Sequence, residues 1–177
     1  ASIFGSLTTY IGRYLTDLRR QGTYAVVYKF SGTAIELKSI LKNAYSRDLK
    51  GCLLVGDLPI VWYEMNTDWG YGYVYEEFPT DLFYMDLDGN WADTNGNGKY
   101  DQHTGNRLPE IWVGRIKASN MAEDEVSLIQ GYFDKNHNFR IGALSLPYKG
   151  LVYVDDDWAS SSSWIDYAMS LVYSDRT

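Results

Sequence analysis

The chain has 177 residues, enough for one sizeable domain and too few for two comfortable ones. A net charge of −7 argues against a nucleic-acid partner, whose phosphates demand a basic face, and no apolar run approaches membrane-spanning length. The single Cys excludes an intramolecular disulfide framework, and 16 Tyr with 6 Trp suit a core with wet edges and ligand-facing clefts.

Leu7, Tyr10, Ile11, Tyr14, Leu15 and Leu18 recur at helical spacing, which predicts an amphipathic helix from about Ser6 to Arg20, stopped by Gln21-Gly22. Tyr24 to Phe30 is almost uninterrupted apolar and reads as a strand. Thr33-x-x-Glu36 is a capping box ahead of Ile35, Leu37, Ile40 and Leu41 on a second helix. Gly51 to Asp57 reads as a second buried strand. A long insertion of Tyr, Trp, Gly, Asp and Asn follows at about 60–109. Glu110 to Ile116 reads as a third strand, and Asn120-x-x-Glu123 as the cap of a helix carrying Leu128, Ile129, Tyr132 and Phe133. Gly150 to Asp155 reads as a fourth strand, and Ser160 to Ser163 open a last helix with Trp164, Ile165, Ala168, Met169 and Val172.

Continuous apolar strands alternating with amphipathic helices predict one domain over 1–177. Its fold class is an α/β three-layer α/β/α sandwich on a mostly parallel sheet, with ligands at the carboxyl ends of the strands.

The insertion contains the densest chemistry. From Asp86 to Asp101 it carries Asp86, Asp88, Asp93 and Asp101 with Asn90, Asn95 and Asn97, and Lys99 is its only cation. Alternate carboxylate and amide oxygens on a tight loop converge on one point, as a hard cation such as Ca2+ requires. Asp93-x-Asn95-x-Asn97-Gly98 matches the opening of an EF-hand loop, with Lys99 offering its carbonyl and Asp101 a direct or water-bridged oxygen. Thr104 stands where the bidentate Glu belongs, which leaves Glu110, Asp86 or Asp88 to complete the shell. The bland reading is a metal-free Asn/Gly/Asp turn. Calcium is expected on the ground that four crowded acids repel one another, and millimolar calcium outside the cell points to a secreted or cell-surface protein.

Three motifs in order carry a resemblance. Leu53-Leu-Val-Gly-Asp57-Leu-Pro59, Phe78-Pro-Thr-Asp81-Leu-Phe-Tyr84-Met-Asp86-Leu-Asp88-Gly89 and Pro109-Glu110-Ile-Trp-Val-Gly114-Arg115-Ile116 resemble the gingipain-type cysteine peptidases over about 50–157. The resemblance implies a caspase-like α/β/α fold, a peptide or protein substrate, and a His–Cys dyad on later strands. By position alone it makes Asp157, Trp158 and Asp166 candidate substrate-pocket residues.

Cys52 sits inside an apolar strand, where a small buried hydrophobe is the expected role. His103 follows the metal-type loop, and His137 ends a polar helix. Neither has the Gly-His-Gly setting of the family's base. The chain ends at Thr177, after the helix that would precede the His strand. The expectation is therefore the N-terminal portion of a gingipain-like domain, inactive alone until a C-terminal segment completes it.

A noncatalytic calcium-stabilised binding or adhesion module of the same fold is the alternative. Asp57, Asp155, Asp156 and Asp157 as a Mg2+ site is a third reading, less favoured because no Lys and Ser/Thr partner stands at a later strand end. Arg115 is expected in an ion pair with Asp57 or Asp81. Trp62, Tyr63, Trp69, Tyr71, Tyr73 and Tyr75 form either a stacking platform for carbohydrate or peptide or the self-packed core of a long loop.

Overall fold

In the computed structural model the described residues are 3–154, 156–173 and 175–176, with backbone alone at 156–158 and 176. The chain divides into two compact units, Ala1–Tyr132 and Phe133–Thr177.

The first unit opens with helix α1 (Phe4–Arg20), which buries Leu7 and Asp17 and ends with two basic residues in its last turn. Helix α2 (Ala34–Tyr45) starts at the expected capping box. Glu36 N–H donates to Thr33 Oγ1, and Thr33 N–H donates back to Glu36 Oε2 at 2.7 Å. Strand β1 (Gly51–Val55) follows. The insertion is more regular than its composition suggests. Strands β2 (Trp62–Asp68) and β3 (Tyr73–Pro79) form an antiparallel hairpin, α3 (Leu82–Met85) is a single turn, and β4 (Asn90–Ala92) pairs antiparallel with β5 (Gln102–Thr104). Strand β6 (Trp112–Ile116) then lies parallel to β1, with Gly51 opposite Trp112 and Val55 opposite Ile116. Helix α4 (Glu125–Arg140) crosses the boundary between the units.

The fold is thus a mixed α/β structure with a small parallel sheet. Two expected strands differ. Tyr24–Phe30 forms no strand, and Tyr24, Val26 and Tyr28 are exposed. An apolar run needs a neighbouring ladder to become a strand, and among the described residues β1 pairs with β6 alone. In the second unit the expected strand at 150–155 shrinks to β7 (Lys149–Gly150), parallel to β8 (Asp175–Arg176). There a 3-10 turn (Asp156–Ser161) leads into helix α5 (Ser162–Ser170).

The core of the first unit joins α2, β1, α3 and the insertion. Leu37, Leu41, Leu54, Val61, Phe83, Tyr84, Leu87 and Ile111 are buried together, each side chain contributing about 1.5–3 kcal/mol on burial. Rings from the insertion extend this core: Phe83 stacks on Tyr100 at 5.0 Å, and Trp91 meets both edge-on. No described helix is long and apolar enough to cross a membrane.

Candidate functional site

The expected metal ligands fall into two sets of contacts that share no residue. In the first, Asp86 follows the α3 turn and is fully buried. Its Oδ1 accepts the N–H groups of Gly89 (2.6 Å) and Asp88 (3.2 Å), and its Oδ2 takes Trp91 Nε1 (3.0 Å) and His103 Nε2 (2.5 Å). Burial alone raises its pKa, but the Gly89 amide, His103, Trp91 and the Lys38 ammonium outweigh it and hold the carboxyl below its usual range. Gly89 is required there, because a Cβ would lie 2.0 Å from Asp86 Oδ2. His103 also stacks on Trp91 at 3.9 Å. Glu110 accepts the Leu87 N–H, and ligand atoms of Asp86, Asp88 and Glu110 lie within 4.8 Å of one another. Lys38, half-buried over the Phe83 ring at 4.4 Å, supplies positive charge to this cluster. The Asp86 carboxylate therefore already has four donors and a nearby cation.

The second set is the loop from Asp93 to Asp101. Asp93 accepts N–H groups from Gly96, Asn97 and Gly98. Gly96 (φ 75°) and Gly98 (φ 89°) hold left-handed conformations that a side chain would strain. Asn95 and Asn97 accept the next-but-one backbone N–H, and Asp101 accepts both the N–H and the hydroxyl of Thr94. Opposite the loop stands Glu64 of β2, only 4% exposed. Asn95 Nδ2 lies 2.6 Å from its Oε1, and Asn97 Nδ2 lies 2.9 and 3.0 Å from its two oxygens. Hydrogen bonds from Tyr75, Asn97 and Asn95 lower the Glu64 pKa, so it is ionised at neutral pH. Lys99 turns its ammonium to Glu77 and the Tyr75 hydroxyl, 4.0 Å from Glu64.

Sequence reasoning missed Glu64, which sits about thirty residues upstream of the loop. The alternation of Trp62–Asp68, which sets Glu64 on the same face as Trp62 and Asn66, was the available signal. Thr104, the position lacking the bidentate acid, belongs to β5 opposite Asn90.

The carboxyl ends of β1 and β6 are closed by ion pairs. Arg115 grips Asp81 through Nε (2.9 Å) and Nη2 (2.7 Å) and donates to the carbonyls of Leu58 and Pro59. Burial lowers the Arg115 pKa, but Asp81 outweighs it and the net shift is upward. Asp57 accepts from Lys117 and from Ser119 Oγ (2.7 Å). Cys52 lies in mid-β1 opposite Val113. Burial, and secondarily the negative charge of Asp81, pushes its thiol from 9.0 to about 11.

Of the expected substrate residues, Asp166 is half-buried on α5, while the side chains of Asp157 and Trp158 lie outside the described residues, as does Asp155. His137 is a residue of α4. Of the aromatic set, Tyr63 packs against Phe78 and Trp91, whereas Trp69, Tyr71, Tyr73 and Tyr75 stand exposed rather than self-packed.

No curated protein and no solved structure shows significant similarity to the chain. The family model for Peptidase family C25 matches residues 17–135, 119 of the 177. That stretch runs from late in α1 into α4 and contains the β1 strand end, the Asp81–Gly89 turn and β6. The chain belongs to peptidase family C25, the gingipain family of cysteine peptidases.

Proposed function

We propose that this chain is the N-terminal portion of a gingipain-like cysteine-peptidase domain, a three-layer caspase-like sandwich when complete, with a calcium-stabilised loop at 93–101. The family match supports the peptidase reading and a protein substrate. The catalytic dyad is then supplied by residues other than those described. Cys52 is a core thiol with a raised pKa, and His103 is held by Asp86 and Trp91. Asp157, Trp158 and Asp166 are proposed to border the substrate pocket, and the protein is proposed to act outside the cell.

The observation that carries the calcium reading is the Glu64 carboxylate facing Asn95 and Asn97. A half-turn of either amide exchanges nitrogen for oxygen at the same place, and gives up the Asn97 or Lys99 N–H that its oxygen accepts here, a cost that the bound cation offsets. The donor set then fits a hard cation: carboxylates from Asp93, Glu64 and Asp101, amide oxygens from Asn95 and Asn97, and the Lys99 carbonyl. Glu64 replaces the acid that Thr104 lacks. Asp86 and Asp88 are better read as a hydrogen-bonded turn that supports the insertion. Bound calcium would neutralise the carboxylates and fix the loop against β2.

A ligand bound only by the folded state raises the melting temperature by mass action. Millimolar Ca2+ should raise it by several degrees, roughly 4 °C per kcal/mol of linkage. Glu64→Gln or Asp93→Ala should abolish most of the shift, while Asp88→Asn should keep it. A melting temperature indifferent to calcium and chelator removes the metal reading and leaves the family reading standing. The alternative, a noncatalytic binding module, is favoured by one observation, the exposed aromatic face of the β2–β3 hairpin.

A further inference from the structure

An asparagine followed by glycine is among the most labile steps in a polypeptide, because no side chain shields the glycine nitrogen from the asparagine Cγ before it. The chain has two such steps, Asn95-Gly96 and Asn97-Gly98, and both lie in the 93–101 loop. Reaction there needs an asparagine in contact with water, room over the following amide, and a polarised side-chain carbonyl. Asn95 and Asn97 are exposed, and nothing lies within 4 Å of the place a Cβ would take on Gly96 or Gly98. The related step Asp88-Gly89 is the contrast. A Cβ on Gly89 would lie 2.0 Å from Asp86 Oδ2 and 2.6 Å from the Asn106 carbonyl oxygen, so that side of the amide is closed.

Each side-chain carbonyl in the loop is polarised in the sense the reaction requires. Asn95 Oδ1 accepts the Asn97 N–H at 3.1 Å, and Asn97 Oδ1 accepts the Lys99 N–H at 2.9 Å. Donors so placed stabilise the oxyanion that forms when Cγ is attacked. The attacking amides of Gly96 and Gly98 are held in place by Asp93, whose Oδ1 and Oδ2 accept them at 2.7 and 2.8 Å. The two steps differ in the hold on the leaving amide. Asn97 Nδ2 donates to both Glu64 oxygens, at 2.9 and 3.0 Å, whereas Asn95 Nδ2 donates to Oε1 alone, at 2.6 Å. To swing onto its neighbour Asn97 must leave two acceptors and Asn95 one.

We propose that Asn95 is a site of spontaneous deamidation in the folded chain, with water as the only co-reactant, and that its product loosens the 93–101 loop from β2. Hydroxide takes the Gly96 N–H proton, and the nitrogen lone pair forms a bond to Asn95 Cγ. The Cγ–Nδ2 bond breaks, and Nδ2 leaves as ammonia with a proton from water. Water then opens the cyclic imide at either carbonyl, leaving aspartate or isoaspartate at position 95. The new carboxylate stands where the amide donated to Glu64, so a donor becomes a second acceptor facing the same acid. Isoaspartate also adds one carbon to the backbone and breaks the alternation of the loop. No cation takes part, so the reaction stands or falls independently of calcium.

Incubation of the whole chain in mildly alkaline heavy-oxygen water with a chelator, followed by peptide mass mapping, tests this. Heavy oxygen should enter position 95 first. Position 97 should follow about fivefold more slowly, as one further hydrogen bond to Glu64 would give. The Asp88-Gly89 step should yield no isoaspartate. Glu64→Ala, with an unchanged near-ultraviolet spectrum, removes the tether from both amides and should bring the two rates together. The more acidic form, separated by anion exchange, should melt below the parent chain in chelator. Absence of heavy oxygen at position 95, faster conversion at 97, or isoaspartate at 88 to the same extent would each overturn the proposal. So would a rate difference that survives in Glu64→Ala, or an acidic form that melts no lower than the parent.

Discussion

Cys52 offers the sharpest test of whether the one thiol in this chain has any nucleophilic role. It sits at the centre of β1, opposite Val113 and packed on the core formed by α2, α3 and β6. Burial and the Asp81 carboxylate raise its pKa from 9.0 to about 11, with Arg115 opposing them. Only the thiolate attacks an alkylating agent. At pH 8 a thiol with pKa 9.0 is about one-tenth ionised, whereas one with pKa near 11 is about one-thousandth ionised. Ionisation alone therefore slows native alkylation about a hundredfold, and strand packing slows it further. The assay compares the second-order rate of iodoacetamide labelling in buffer and in denaturant, followed by mass. The native rate should be at least about a hundredfold lower and should keep climbing with pH through pH 10. A native rate within tenfold of the unfolded rate, or a plateau near neutral pH, would refute the burial argument and make Cys52 a reactive thiolate.

Arg115→Met should cost about 3 kcal/mol in urea unfolding, since it leaves Asp81 with an unpaired charge and two loop carbonyls without their donor; adding Asp81→Leu should restore part of this, and a cost under about 1 kcal/mol would show the pair to be solvent-screened. Asp86→Asn should cost about 2–3 kcal/mol at neutral pH by disturbing four donors. Because the folded pKa of Asp86 lies below its ordinary value of 3.8, its contribution is complete above that pH and is lost as pH falls through the folded pKa. The stability gap between wild type and Asp86→Asn should therefore narrow below about pH 4, and a gap constant from pH 7 to pH 3 would show that the Asp86 charge contributes nothing.

Elements fixed by local chemistry were legible in the sequence. Thr33 and Glu36 satisfy each other within one helical turn, and β1 and β6 are apolar runs ending in residues of opposite charge. The Arg115–Asp81 pair was one of two expected partners, and the structure selects Asp81 over Asp57. What depended on a distant neighbour was not legible. Tyr24–Phe30 has the composition of a strand but no ladder beside it among the described residues. The α4 start shifted from Asn120 to Asp124, whose carboxylate accepts the Ser127 N–H at 2.8 Å, because Asn and Asp four residues apart offer similar caps. Spacing counts oxygens and cannot count the donors aimed at them, so the four groups that meet the Asp86 carboxylate were not legible. Glu64 was invisible for the converse reason: only the β2 fold brings it to the loop.

The balance of charge then separates scaffold from site. Asp57 is matched by Lys117, Asp81 by Arg115, and Asp86 by four donors with Lys38 nearby. These acids hold the carboxyl ends of the parallel strands and the base of the insertion, and each has its compensation inside the protein. Beside the 93–101 loop, which carries Asp93 and Asp101, Lys99 lies 4.0 Å from Glu64 and is shared with Glu77. Here too hydrogen bonds favour the ionised carboxylates: Glu64 meets Tyr75, Asn97 and Asn95, and Asp101 meets Thr94. What favours the 93–101 loop for the proposed calcium is therefore its ligand pattern: Asp93, Asn95 and Asn97 at alternate positions and the Lys99 carbonyl, beside the buried Glu64.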